Sequence, residues 1–265
     1  MDQAWIAAAS WWMPWLLGVT VNTGLLALAW GLPKKLLTPA GYLHAWGLGV
    51  LIWGCLGWRG YTVVMVYFLA GSAATRLGLA RKEAAGIAER RSGARGPENV
   101  WGSALAASVC AVAFAALGGG GSPAALAIWG PVLTLAYVSS FSTKLSDTAA
   151  SEVGKAYGKH TFLITTLQPV AAGTEGAVSL EGTLAGVGGS VLIALVGWAV
   201  GLIDIWGVGI CLIAAFVATT IESLIGATLQ TKLAWLSNEW VNVINTALGA
   251  SLAGLLGYGW LALGL

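Results

Sequence analysis

The chain has 265 residues, 57% of them hydrophobic and only 9% charged, with a mean hydropathy of +0.80. Soluble domains carry about 25% charged residues, so a water-soluble globular fold is excluded and a polytopic membrane protein is implied. The net charge is only +2 and no dense basic tract occurs, which argues against a nucleic-acid partner.

Inside a bilayer every backbone polar group must be satisfied within its own segment. Apolar runs of these lengths, without β alternation, meet that condition as helices. The expected fold is all-α: one integral membrane domain over residues 1–265, built as a polytopic transmembrane helical bundle of about eight spans. Trp is abundant, at 15 residues, and Trp5, Trp11, Trp12, Trp30, Trp101, Trp206, Trp240 and Trp260 lie near the ends of apolar runs. This is an interfacial aromatic belt. The three cysteines, Cys55, Cys110 and Cys211, sit inside apolar runs without a CxxC pair, as buried free thiols do. The first residues, Met1-Asp2-Gln3-Ala4-Trp5, lack a positive n-region, so the first apolar run is expected to stay rather than be cleaved.

In chain order, the first span is expected from Trp5 or Ser10 to Trp30, with Pro14 kinking it or marking its entry. Pro33-Lys34-Lys35 follows as a loop. The second and third spans, 42–58 and 61–75, are separated only by Arg59-Gly60 and so form a tight hairpin. Residues 76–99 make the first long polar loop, helical in part over 81–91 and certainly irregular at Ser92-Gly93-Ala94-Arg95-Gly96-Pro97. The fourth span is 100–117. A Gly-rich turn leads to the fifth, 124–137, and the second long polar segment is 143–181. Spans six, seven and eight are 184–203, 207–226 and 240–263. Gly197-x-x-x-Gly201 and Ala250-x-x-x-Gly254 are close-packing signals.

Cations alternate between the two faces. The loops after spans one, three, five and seven hold Lys34, Lys35, the run from Arg76 to Arg95, then Lys144, Lys155, Lys159 and Lys232; those after two, four and six hold only Arg59. By the positive-inside rule the long loops near 76–99 and 143–181 are cytoplasmic and both termini lie on the non-cytoplasmic side. All polar clusters then fall on one face. Transporters need a pathway to both faces, usually with ionisable groups near mid-membrane. One-sided polarity favours an enzyme that takes a lipid from the bilayer and a soluble co-substrate from the cytoplasm.

The densest polar stretch runs over 139–158. It places hydroxyls, Asp147, Glu152, Lys144 and Lys155 among small residues. If helical, Asp147, Ser151 and Lys155 share one face at i, i+4 and i+8, and Glu152 lies about 140° round from Asp147 at 100° per residue. Carboxylates suit Mg²⁺, while lysine and hydroxyl groups suit phosphate oxygens. A polar helix end snorkelling at the membrane surface is the competing reading, and from this stretch alone the two stand level. No GxxxxGK[ST] loop occurs, which excludes a P-loop. His44 and His160 are isolated and read as ordinary polar residues.

Six stretches, taken together and in order, resemble one family. They are Leu37-Thr38-Pro39-Ala40-Gly41; Tyr67-Phe68-Leu69-Ala70-Gly71-Ser72; Arg95-Gly96-Pro97-Glu98-Asn99-Val100-Trp101-Gly102-Ser103; Asp147-Thr148-Ala149-Ala150-Ser151-Glu152-Val153-Gly154; Gly176-Ala177-Val178-Ser179 with Gly182-Thr183; and Glu222-Ser223-Leu224-Ile225-Gly226. The chain resembles the phytyl-phosphate kinase family of integral membrane proteins, itself similar to the transmembrane protein 19 group, over nearly its whole length. The resemblance implies an isoprenoid phosphate kinase that converts phytyl phosphate to phytyl diphosphate with CTP, in phytol salvage for tocopherol and phylloquinone synthesis. Its partners would be a lipid-like isoprenyl phosphate, a nucleoside triphosphate and the bilayer, in a plasma or photosynthetic membrane with the active site facing the cytoplasm. The cofactor it implies is Mg²⁺. Two departures from the family pattern are Glu222, where Asp is expected, and Glu239 after Asn238, where Asn-Asp is common; both keep the charge and add a methylene.

On this basis Asp147, Glu152 and Lys155 are the expected catalytic residues. Asp147, Glu152, Glu222 and Glu239 are the candidate metal ligands. Lys82, Arg95, Asn99, Ser103, Ser151 and Thr183 are expected to bind substrate, with Asn99 and Ser103 at a helix N-terminus suited to an anion. Two alternatives stay in play: a kinase for another isoprenyl phosphate or a polyprenol, and a membrane transporter.

Overall fold

A computed structural model describes residues 12–33, 35–120, 122–230 and 232–263. It is an α-helical bundle with a small two-stranded ribbon at one end. The elements are α1 (Met13–Gly31), α2 (Pro39–Arg76), α3 (Leu79–Ala84), α4 (Pro97–Gly120), α5 (Pro123–Tyr157), β1 (Thr161–Leu163), β2 (Ala177–Ser179), α6 (Leu180–Ala199), α7 (Ile205–Ile225) and α8 (Asn238–Ala262). A 3₁₀ turn, Arg90–Gly93, precedes α4, and a π-helical turn, Gly226–Gln230, extends α7. The expected start of the first span near Trp5 or Ser10 lies outside the described residues, as does Lys34.

Seven of these helices are long and apolar enough to cross a membrane. One, α2, is long enough to cross twice. Gly57 breaks it at φ 63° and ψ −158°, a region that in practice only glycine occupies. The chain folds back there: Trp53 and Tyr61 meet edge to face at 5.0 Å, and at the open end Arg76 Nη2 donates to the Lys35 carbonyl at 3.2 Å. Each arm is about 27 Å long at 1.5 Å per residue, close to a hydrocarbon core of about 30 Å. The two expected spans, 42–58 and 61–75, are these two arms. The turn sits at Gly57 rather than at Arg59-Gly60, because Gly57 supplies the positive φ and Arg59 and Gly60 are already helical.

The second polar segment differs from the loop expected from residue 143 onward. Residues 143–157 continue α5, which is about 52 Å long and so outreaches the hydrocarbon core. Every residue from Thr134 to Thr148 is buried, since α5 packs against α2, α4, α6, α7 and α8. Two of its buried hydroxyls hydrogen-bond to neighbouring helices. Ser139 donates to the Gly249 carbonyl of α8 at 3.0 Å, and Ser142 meets Ser190 of α6 at 2.8 Å. A glycine stripe on α6 permits the close approach: a Cβ at Gly186 would lie 3.0 Å from the Ser146 carbonyl, and one at Gly189 2.9 Å from that of Leu145. The remaining segment, 158–179, carries the β-ribbon, which the all-α expectation did not include. Thr161 pairs with Ser179 and Leu163 with Ala177. Ser179 then caps α6, its Oγ accepting from Gly182 N at 3.1 Å.

Candidate active site

At one end of the bundle, α2, the segment before α4, α5, α7 and α8 surround a polar cavity of about 820 Å³, a size typical of small-molecule sites. Arg59 and Asp204 lie in a separate pocket with Trp206 and Trp260. The charged groups of the polar cavity are therefore gathered on one side, as the cation count predicts.

Arg95 is held by two of the recognised motifs. Its backbone is clamped by the first: Arg95 N donates to the Leu36 carbonyl at 3.0 Å, and Thr38 N donates to the Arg95 carbonyl at 3.0 Å. Thr38 Oγ1 also caps α2 by accepting from Gly41 N at 3.0 Å, and a Cβ on Gly41 would collide with the Arg95 carbonyl. The second motif seats the side chain. Arg95 Nη1 donates to Tyr67 Oη at 2.8 Å, and its guanidinium stands 5.3 Å from the Tyr67 ring centre. A Cβ on Gly71 would lie 2.6 Å from Arg95 Nη2. A fixed, partly stacked guanidinium with its remaining donors at a cavity wall is suited to phosphate oxygens. Asn99 faces the same cavity and caps the start of α4, its Oδ1 accepting from Gly96 N at 3.0 Å; Ser103 is one turn further in.

On α5, Lys144, Asp147, Ser151 and Lys155 all line the cavity, as helical spacing from Asp147 to Lys155 requires. Lys144 is the residue whose part the sequence did not disclose. Its Nζ donates to Asp147 Oδ2 at 2.5 Å and to Asn242 Oδ1 of α8 at 2.8 Å. Its place three residues before Asp147 is the signal that was available for it. Asn242 and Glu175 also reach this cavity without having been assigned to it.

The carboxylates divide differently from the expected set. Asp147 and Glu222 line the same cavity with their carboxyls facing one another, and Glu175 and Lys144 are close by. Glu152, on the neighbouring face of α5, pairs instead with Lys82, and Lys155 Nζ is 3.9 Å from its Oε1. Glu239 lines the cavity from α8. No cluster of three acidic, His or Cys ligands forms among the described residues. All four expected carboxylates thus line the cavity, but Asp147 faces Glu222 while α5 turns Glu152 toward Lys82 of α3.

Two of the expected substrate-binding residues lie outside the polar cavity. Lys82 is 0% exposed, and its ammonium is engaged by Glu152 and the Thr75 carbonyl, the latter at 2.8 Å. It joins α3 to α5 and presents nothing to a ligand. Thr183 lies on α6 in a separate groove, its Oγ1 donating to the Ser179 carbonyl at 2.9 Å. His44 accepts from Trp101 Nε1 at 2.9 Å, an ordinary polar role.

Comparison with known proteins places these features in a wider group. The profile of the integral membrane protein family DUF92 matches residues 22–250. The chain is 63% identical to the Uncharacterized membrane protein sll0875 of Synechocystis sp. over 91% of its length and 90% of that protein's. It is 44% identical to Protein VTE6, chloroplastic, of Arabidopsis thaliana, over 89% of this chain and 70% of the other. It is 33% identical to the Uncharacterized membrane protein MJ0933 of Methanocaldococcus jannaschii, over 78% and 79%. No solved structure matches.

Proposed function

The chain belongs to the integral membrane protein family DUF92, and from that premise we propose that it is a phytyl-phosphate kinase, transferring the γ-phosphoryl group of CTP to phytyl phosphate. The observation that carries this reading is the meeting of an adjacent carboxylate pair, Asp147 and Glu222, with Lys144, Arg95 and Lys155 in one cavity at the polar end of a membrane bundle. The six ordered motifs support it, because three of them converge on this cavity through Arg95, Asp147 and Glu222. A chloroplastic relative of high coverage accords with a reaction on phytyl phosphate, the phosphate ester of the alcohol carried by chlorophyll.

In the proposed reaction an oxygen of phytyl phosphate forms a bond to the γ-phosphorus, and the bond from that phosphorus to the β,γ-bridging oxygen breaks. The products are phytyl diphosphate and CDP. The acceptor oxygen is already anionic, so no strong general base is required, and the residues act by positioning and by neutralising charge. Arg95 grips triphosphate oxygens with its fork of donors. Lys155, less enclosed than Lys144, meets the acceptor phosphate. Lys144 and Asn242 hold the Asp147 carboxylate in place. Mg²⁺ fits this donor set, since it takes one or two protein carboxylates beside substrate phosphates; Asp147 and Glu222 would hold it, and its charge would offset that of the triphosphate. The cavity faces the cytoplasm, where the nucleotide is, and the product feeds tocopherol and phylloquinone synthesis.

Purified protein incubated with phytyl phosphate, Mg²⁺ and CTP is expected to form phytyl diphosphate. Asp147→Asn, checked for wild-type melting in detergent, is expected to lose at least about a hundredfold in rate. Absence of product with any nucleoside triphosphate and any isoprenyl phosphate overturns the kinase assignment. Full activity in the folded variant keeps the reaction and removes Asp147 from it.

A further inference from the structure

Beside the polar cavity lies a second, mainly apolar groove of about 340 Å³. Its floor is α5, its walls are α6 and α7, and the β-ribbon segment covers its polar end. Asp147, Ser151, Lys155 and Glu222 border both spaces. Away from that shared rim the groove is bounded by Val187 of α6 and by Leu212 and Phe216 of α7. Val187 and Phe216 are 39% and 54% exposed, so this end faces the surface that lipid covers.

We infer that this groove seats only the phosphate-proximal part of the acceptor's isoprenoid chain and that the distal part stays in the bilayer, so that the protein reads the head and first isoprene units but not chain length. The inference rests on the kinase reading for the identity of the acceptor. A phosphate held at Lys155 and Ser151 has the groove as its apolar continuation, whereas the rest of its surroundings is the polar cavity. The dimensions then set how much chain is held. From Thr183 to Ser190 along α6 the groove extends about 10 Å, and from Leu212 to Ser223 along α7 about 16 Å, at 1.5 Å per residue. An extended phytyl chain measures roughly 19 Å, taking carbon–carbon bonds of about 1.5 Å at tetrahedral angles. Its end must pass between α6 and α7 near Val187 and Phe216.

Lipid tails are as apolar as leucine side chains, so moving a chain from bilayer to groove brings little hydrophobic gain. The groove's contribution is orientation: it directs the phosphate toward the shared rim. Carbons beyond Phe216 are in the same environment before and after binding and do not affect affinity.

Two measurements on the full-length protein in lipid vesicles test this. Turnover is compared for farnesyl, geranylgeranyl and phytyl phosphates in wild type and in two variants at the groove wall, Val187→Trp on α6 and Thr220→Trp on α7. Separately, wild type is photolabelled with an isoprenyl phosphate carrying a diazirine on its second isoprene unit. The expected results are kcat/KM values within about threefold across the wild-type series, a rise in acceptor KM on the order of tenfold or more in the variants with the CTP KM unchanged, and label on α6 and α7. Label confined to other helices overturns the groove assignment whether or not the variants fold. A steep dependence on chain length overturns the exclusion of the tail. Label in the groove without turnover of any acceptor retains the lipid site and rejects the kinase reading.

Discussion

Arg95 is fixed by residues far from it in the chain: Leu36 and Thr38 through its backbone, Tyr67 and Gly71 through its guanidinium. Gly71 offers a test of that placement. A methyl group there would press on Arg95 Nη2, a flexible end that can move aside, while alanine is favoured over glycine in a helix by about 1 kcal/mol. Gly71→Ala should therefore melt no lower than wild type in detergent, yet show a nucleotide KM raised on the order of tenfold, since displacing a positioning group by an ångström is costly. An unchanged KM would take Arg95 out of the nucleotide site. Lys82 illustrates the opposite case. Its charge lies in the first long polar loop, but its burial and its pairing with Glu152 make it a tie between α3 and α5.

Among the elements, α2 and α5 depart most from the spans first drawn. The α2 hairpin depends on a backbone conformation open to glycine, and a Cβ at Gly57 meets nothing within 4 Å, so substitution there is purely a backbone effect. Gly57→Ala is expected to destabilise by about 1–3 kcal/mol, read as a lower midpoint in thermal unfolding; Gly24→Ala, at a helical position with equal space, should not. Equal midpoints for the two would remove the conformational account of the turn. The length of α5 has a different origin. Its last turns carry polar residues that would end a lipid-facing span, yet five helices surround it, and α6 and α8 hydrogen-bond to Ser142 and Ser139, so the helix continues through the polar stretch.

For the whole molecule, the separation of the polar cavity from the Arg59 end gives a test of orientation. In a cysteine-free background, Ser237→Cys at the cavity rim should react with an impermeant maleimide only from the cytoplasmic side, and Arg59→Cys only from the other. Reaction of both from one side would contradict the topology. The apolar helices, the gathering of charge at one end of the bundle and the shared face of Asp147, Ser151 and Lys155 were legible in the chain, because hydropathy, cation alternation and helical periodicity are local properties. What only the tertiary structure decided is which charges meet. Asp147 and Glu152 are five residues apart, yet they face different partners; Asp147 and Glu222 are distant in sequence, yet they face one another in one cavity. Such pairings are set by the rotation of α5 against α3, α7 and α8 and by the glycine stripe that lets α6 approach it. They depend on packing between helices, to which the spacing within any one helix carries no key.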